Sequence, residues 1–312
     1  SPTLRQLART HYHSNCHSRQ FSGFESTRFA IQDKTPLSAM NHTNYSFSVF
    51  WYRVYIIVAF LTVLCSVFFS MTTEWETENM KKIVSECYTS EFPILMYHHI
   101  RPYTGFTNIS AKNLSVSPEE FDEQMRHFAN KWWNALSTTD IRGNTVPCKS
   151  FLITFDDGYH DVYKYAAPIL KKYGYTGMVS LIPAHIDESD YISGKQIREL
   201  LKDNWEIASH TWTHPILTQT PIENLWVEVE KSKHDLEKWF WESVHTFVYP
   251  GWFYGPETLK KVWEVRYKYA LTTHRGYAKL GTKNLELNRI NIAPGTTPEV
   301  LEKVLEELKT RQ

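Results

Sequence analysis

Phe151-Leu152-Ile153-Thr154-Phe155-Asp156-Asp157-Gly158 is an apolar run that ends in two adjacent carboxylates and a glycine. Neighbouring side chains on a strand point to opposite faces, so both Asp residues serve one site only where the chain turns. Gly158 supplies that turn. Further on, Glu206-Ile207-Ala208-Ser209-His210-Thr211-Trp212-Thr213-His214-Pro215 offers two imidazoles, His210 and His214, at i and i+4. One Asp and two His make a three-ligand set for a divalent metal with a fourth position open to water, the pattern of a catalytic zinc rather than a structural one. The remaining Asp is a candidate general base.

Outward from these two segments, strand-like and helix-like patterns alternate. Apolar runs stand at Phe92–Tyr97, Phe151–Phe155, Gly177–Ile182, Trp205–Ala208, Val244–Tyr249, Tyr269–Thr272 and Leu285–Ile292. Helical stretches lie between several of them: Asp161–Tyr173, Lys195–Leu201, Ile222–Trp241, Pro256–Val265 and, last, Pro298–Lys309. Pro298 suits a first helical turn, with Thr297 as its cap. Such alternation predicts an α/β fold with a parallel sheet or barrel. The chemistry falls where strands end: Asp156 and Asp157 after one, His210 after another, Tyr249-Pro250-Gly251 after a third. In β/α barrels the active site sits at that end.

The chain has 312 residues and a formal net charge of +0. That length allows one large domain or two small ones. Balanced charge argues against a nucleic-acid binder, which usually carries a basic excess. The 11 Trp, 18 Tyr and 17 Phe read first as core and interface filling, with some rings left to stack on the flat faces of sugars. None of Cys16, Cys65, Cys87 and Cys148 has the C-x-x-C spacing of a metal or redox motif. Cys87 and Cys148 are a candidate disulfide if their domain is exported, with two free thiols as the alternative.

Val54 to Met71 is free of charged residues, and Phe47 to Tyr52 extend the apolar stretch beyond Arg53. A spanning helix needs roughly 20 apolar residues. Arg5, Arg9, Arg19, Arg28, Lys34 and Arg53 precede it, and Glu74, Glu76 and Glu78 follow, with Lys81 and Lys82 further along. The positive-inside tendency places the N-terminus in the cytoplasm and the C-terminal part outside, in a single-pass arrangement at the cell membrane. No A-x-A site follows, which favours an uncleaved signal anchor over a cleaved signal peptide. The expected organisation is a disordered cytoplasmic tail over 1–46, a transmembrane signal anchor over 47–71, a linker over 72–91 and a catalytic domain over 92–312. Met40 is a candidate natural start, which would leave residues 1–39 outside the mature protein.

From about Phe92 onward the chain resembles the NodB-like polysaccharide deacetylases, carbohydrate esterase family 4. The family's T-F-D-D-G motif stands at Thr154–Gly158 and its H-[ST]-x-x-H motif at His210–His214. The resemblance implies a distorted (β/α) barrel with fewer than eight full units. It implies that Asp156 is the general base and that Asp157, His210 and His214 hold the metal. Zinc is the expected ion, with cobalt or nickel as substitutes in an open site of this kind.

Other family motifs match less closely. Phe247-Val248-Tyr249-Pro250-Gly251-Trp252 resembles the Y-P-Y-G form of the third motif but departs from it after the proline. The resemblance places an oxyanion donor on the Gly251 N–H and substrate contacts at Tyr249, Gly251 and Trp252. Trp252, Phe253 and Tyr254 are a candidate sugar platform. Arg289, in Leu287-Asn288-Arg289-Ile290, resembles the L-P-R-I segment, which makes it a candidate partner of Asp156. The usual late His motif is missing after residue 285. Instead Pro93-Ile94-Leu95-Met96-Tyr97-His98-His99-Ile100 resembles the first strand of poly-N-acetylglucosamine deacetylases, where that motif is permuted to the start. This puts the general acid on His98, with His99 and His274 as rivals.

The resemblance implies a metal-dependent hydrolase that removes acetyl groups from N-acetylhexosamine units of a cell-surface or cell-wall polysaccharide. An esterase for O-acetyl xylan, a catalytically impaired carbohydrate-binding barrel and a hydrolase of small amides are the alternatives. The implied partners are the polysaccharide and the membrane, with polysaccharide export or synthesis machinery as a further candidate.

Overall fold

The structure is a computed structural model that describes residues 52–71, 87–105 and 107–310. The expected N-terminal tail, the candidate start at Met40 and most of the linker lie outside the described residues. Two compact units divide the chain between Phe68 and Phe69.

In the first unit lies a helix whose full extent is Tyr52–Met71, 20 residues with a mean hydropathy of 2.5. At 1.5 Å per residue it is about 30 Å long, the thickness of a bilayer's hydrocarbon core. Its hydroxyls bond back to the helix: Thr62 Oγ1 donates to the Ala59 carbonyl and Ser66 Oγ to the Thr62 carbonyl. Neither of these two hydroxyls needs water.

The second unit is a closed parallel barrel of seven strands: β1 Ile94–Tyr97, β2 Ser150–Phe155, β3 Met178–Leu181, β4 Glu206–Ser209, β5 Thr246–Val248, β6 Tyr269–Arg275 and β7 Leu287–Asn291. Each of the seven apolar runs read from the sequence supplies one of them. Strands β2 to β6 neighbour in order, β6 pairs with β7, β7 with β1, and β1 with β2, which closes the ring. Five helices pack outside: α1 Pro118–Asn130, α2 Ala167–Lys172, α3 Gly194–Lys202, α4 Ser232–Phe240 and α5 Pro256–Glu264; α6 Pro298–Thr310 follows β7. A π-helical turn leads into α2 and another into α4. Thr297 caps α6, its Oγ1 accepting from Val300 N.

Helix α1 lies outside the helical stretches read from periodicity. Its signal is Ser117-Pro118-Glu119-Glu120: Ser117 Oγ accepts from Glu120 N, and the Glu120 carboxylate accepts from Ser117 N. That reciprocal pair is a capping box, with proline in the first turn. Cys87 and Cys148 are joined by a disulfide.

Period-two alternation sorts each strand. One set packs against the helices: Leu95, Tyr97, Phe151, Ile153, Phe155, Val179, Phe247 and Ile290 belong to one apolar cluster. The other set fills the barrel. Ile94, Leu152, Met178, Ala208, Val248, Leu271 and Leu287, one from each strand, share a second cluster. Two residues further along come Met96, Thr154, Ser180, His210 and Arg289. Two further again come His98 and Asp156. The barrel is therefore plugged by hydrocarbon at its strand-entry end and becomes polar toward its strand-exit end.

Candidate active site

At the exit end of β2 the chain reverses. Asp157 has φ +70° and Gly158 φ +73°. A Cβ on Gly158 would stand 3.2 Å from a Leu181 methyl, so space as well as conformation favours glycine. The reversal lets Asp156 point into the barrel while Asp157 swings across its rim. Asp157 Oδ1 lies 3.3 Å from His210 Nε2 and 3.4 Å from His214 Nε2. One donor atom from each of the three falls within 4.8 Å of the others.

His210 continues β4 and is buried. Its Nδ1 donates to the Val248 carbonyl on β5 at 2.7 Å, which leaves the Nε2 lone pair toward Asp157. A second partner of this kind fixes the tautomer of a metal-ligating imidazole. His214 sits on a turn with φ +60°, reached through Thr211 at φ +63°. Thr211 Oγ1 accepts from His214 N, and Ser232 Oγ donates to the Thr211 carbonyl. The buried Glu228 carboxylate accepts from Trp212 N, Thr213 N and Thr213 Oγ1, at 2.9, 2.9 and 2.8 Å. Glu228 is thus the anchor of the loop between the two histidines. Nothing in its sequence surroundings marks it.

Asp156 is held separately. Arg289 Nη1 donates to its Oδ1 at 2.8 Å and Nη2 to its Oδ2 at 2.7 Å. Ser180 Oγ adds a third bond to Oδ1 at 3.2 Å. Arg289 is fully buried, yet its Nε finds the Thr272 carbonyl and its Nη1 also reaches Thr154 Oγ1. Ser180, Thr154 and Thr272 escaped the sequence reading of the site. Thr154 had a legible signal, since it shares the inward face of β2 with Asp156.

The electrostatics separate the two carboxylates from ordinary ones. Burial pushes Asp156 up, but the charge and hydrogen bonds of Arg289 outweigh it and bring the pKa down to about 2. Burial likewise opposes ionisation of Asp157; hydrogen bonding and charge from His210, with His98 and His214, hold it well below the usual carboxylate range. His210 moves the opposite way: burial lowers it, and the two aspartates raise it by more. His214 is lowered, by burial and then by His210.

His98 stands at the mouth with these groups. Burial lowers its pKa, Asp156 and Asp157 pull it up, and Arg289 and His210 push it down again, with a net lowering. His99 points the other way. Its Nδ1 meets Asp161 Oδ2 at 2.6 Å, its ring stacks on Tyr159 at 3.6 Å between centroids, and Asp161 Oδ1 also accepts from Ile100 N. The alternation that starts at Ile94 explains the split. Burial, and then the neighbouring Asp157 carboxylate, push the Tyr159 hydroxyl's pKa up. His274 lies instead beside the rings of Trp252 and Tyr254, with centroids 6.0 and 6.1 Å away.

The third motif divides. Tyr249 is fully buried: its ring stacks on Tyr254 at 4.1 Å and its hydroxyl donates to the Leu285 carbonyl. Alternation along β5 turns the Tyr249 side chain outward with Phe247, under the helices and away from the barrel mouth where substrate contact was expected. Gly251 has φ +59°. Among the described residues its N–H makes no backbone hydrogen bond. Trp252 and Phe253 are exposed, at 64% and 49%.

The donor set suits a divalent cation: a carboxylate held ionised and two imidazole nitrogens, one aimed by a second bond to the backbone. Beside it stands a second carboxylate, held by an arginine and not needed as a ligand. Such an arrangement can bind a metal-activated water next to a base, which is the chemistry of hydrolysis.

Residues 143–270 match the polysaccharide deacetylase family model. The fold is similar to that of the Streptococcus pyogenes deacetylase PplD, solved in complex with acetate: 30% identity, TM-score 0.64, covering 69% of this chain and 98% of that one. The Bacillus subtilis protein YxkH is 29% identical over 70% of this chain and 78% of its own length. The poly-beta-1,6-N-acetyl-D-glucosamine N-deacetylase of Staphylococcus aureus is 25% identical over 64% of this chain and 78% of its own.

Proposed function

The chain belongs to the polysaccharide deacetylase family, carbohydrate esterase family 4, and from that premise we propose that it is a metal-dependent hydrolase removing acetyl groups from N-acetylhexosamine units of a cell-surface or cell-wall polysaccharide. The observation that carries this reading is the division of labour in the barrel mouth: Asp157, His210 and His214 converge as ligands, while Asp156 is tied to Arg289 and stays free of them. The N-acetylhexosamine assignment draws on the S. aureus relative, named for the N-deacetylation of poly-beta-1,6-N-acetyl-D-glucosamine.

Asp157, His210 and His214 would hold the metal, with zinc as the first choice and cobalt or nickel as substitutes. When bound, the ion supplies Lewis acidity, acidifying a water enough for a weak carboxylate base and polarising the acetyl oxygen. Asp156 takes the water proton, and Arg289 and Ser180 hold its carboxylate in register for that transfer. The Gly251 N–H is the candidate donor to the oxygen that gains charge as the acyl carbon becomes tetrahedral. His98 gives its proton to the amide nitrogen as the C–N bond breaks. Acetate and a free amine on the sugar are the products. The lowered pKa of His98 makes it a stronger acid once protonated, although less of it is protonated at neutral pH. Trp252 and Phe253 offer exposed faces for sugar rings.

We also place the catalytic unit outside the cell membrane, anchored by the Tyr52–Met71 helix. Two features support this. Arg53 stands at the start of the helix with Arg5, Arg9, Arg19, Arg28 and Lys34 before it, while Glu74, Glu76 and Glu78 follow it ahead of Lys81 and Lys82, and the Cys87–Cys148 disulfide suits an oxidising compartment.

The test is acetate release by the metal-loaded protein from β-1,6 and β-1,4 N-acetylglucosamine oligomers and from acetylated xylan, with Asp156→Asn as the blank. Release from the glucosamine oligomers above the blank is the expected result. Release from xylan alone would replace the amidase reading by an esterase. Tight binding of oligomers with no acetate from any of them would make the barrel a binding module.

A further inference from the structure

The connection that follows β4 leaves the barrel at its strand-exit end, and it carries more than the two histidines. Between Pro215 and Glu228 it forms a cleft of about 580 Å3, whose lining includes Pro215, Ile216, Gln219, Thr220, Asn224 and Glu228. Pro215 directly follows the candidate ligand His214. Consecutive Cα atoms stand about 3.8 Å apart, so the cleft begins one residue from that ligand. Glu228, which also lines it, is the carboxylate that holds the His210–His214 loop. The cleft and the aspartate–histidine group therefore share a loop.

The same segment is joined to the Trp252–Phe253 turn. Leu217–Gln219 is a short helical turn, and Thr218 N donates to the Phe253 carbonyl at 3.2 Å. Ile216 adds exposed apolar surface to the cleft. Gln219 and Asn224 are exposed as well. Thr220 Oγ1 donates to the Ile216 carbonyl, which leaves the hydroxyl oxygen able to accept.

We propose that this cleft binds a neighbouring sugar of the polymer, beside the unit that loses its acetyl group. The inference rests on the N-acetylhexosamine reading. The lining selects its ligand by charge. Among the described residues Glu228 is the one charged group in it, and that carboxylate already accepts three bonds from the ligand loop. The lining holds no cation to draw a phosphate or a carboxylate, and no histidine or cysteine to hold a second metal. It offers apolar surface from Pro215 and Ile216 beside neutral amide and hydroxyl groups. An N-acetylated pyranose has the matching chemistry. Its C–H faces lie on apolar surface, and its hydroxyl and amide groups exchange hydrogen bonds with Gln219, Thr220 and Asn224. A single sugar in the mouth leaves the cleft unused, so the cleft makes the enzyme prefer oligomers.

The test compares acetate release by the metal-loaded full chain from a β-1,6 N-acetylglucosamine tetramer and from the methyl glycoside of the single sugar. The tetramer should be favoured in kcat/KM by about tenfold or more. In the double variant Gln219→Ala, Asn224→Ala, KM for the tetramer should rise about tenfold, as for the loss of two hydrogen bonds. Its kcat and metal affinity should stay near those of the parent. Both side chains are exposed, so the variant should fold, and its unfolding midpoint checks that. An unchanged KM for the tetramer overturns the inference. So does a fall in kcat together with metal affinity, which would make these residues supports of the ligand loop rather than contacts of a sugar. Equal kcat/KM for the two substrates in the parent overturns it as well. Acetate from neither substrate would fell the N-acetylhexosamine reading and the inference with it, whereas release without a length preference leaves that reading standing and removes the cleft's role alone.

Discussion

Arg289 and Asp156 form a two-pronged ion pair inside the barrel, at 2.8 and 2.7 Å, with both side chains shielded from solvent. Two charges taken out of water are tolerated because four of the five guanidinium N–H groups have acceptors. Removing one partner leaves the other charged and alone. Arg289→Gln should cost about 3–5 kcal/mol of stability, read by denaturant unfolding. Asp157→Asn, outside this pair, serves as the comparison.

The same pair sets a pH dependence. Asp156 is brought down to about 2, below the ordinary carboxylate value near 4. Its contribution to stability is therefore fully present above about pH 4 and is lost as pH falls toward 2. In Arg289→Gln, burial is no longer outweighed and the carboxyl moves up. The acid limb of kcat/KM should shift to higher pH in that variant. An unmoved limb would mean that a group other than Asp156 acts as the base.

Asp157→Ala or His210→Ala should lose metal and acetate release together, measured by metal content and by turnover. Glu228→Gln tests the loop behind them. It keeps the shape but weakens three bonds to the His210–His214 segment. Metal affinity should fall about 10–100-fold, as for the loss of a supporting partner. Wild-type affinity in Glu228→Gln would show that the loop holds its shape unaided.

His98 and His99 should separate cleanly. His98→Ala should keep its metal and lose amide turnover. His99→Ala should lose the Asp161 bond and the Tyr159 stack, and so show its main effect in thermal stability. The opposite pattern would move the general acid to His99.

Replacing Cys87 and Cys148 by serine removes a link that closes a loop of 61 residues. The expected cost is about 2–5 kcal/mol, measured by urea unfolding, with the metal site unchanged in the folded protein.

Much of this protein is determined by local sequence. Seven apolar runs became seven strands because a strand buried on both faces must be apolar throughout. The apolar stretch ending at Met71 became a helix long enough to cross a bilayer. The candidate ligands were legible because Asp157, His210 and His214 lie in short motifs, each within a turn of its strand. Other decisions needed the closed barrel. Alternation, counted inward from the plug, is what turns His98 into the mouth, His99 and Tyr249 out of it, and Thr154 and Ser180 onto the Arg289–Asp156 pair. Glu228 reaches the ligand loop only through the fold of the β4–α4 connection, and Cys87 meets Cys148 only because β1 lies beside β2. These contacts join residues far apart in the chain, and a linear pattern carries no record of which strand will lie next to which. Ring closure supplies that record, because seven parallel strands bring Asp156, just past β2, within reach of Arg289 on β7 with only β1 between them.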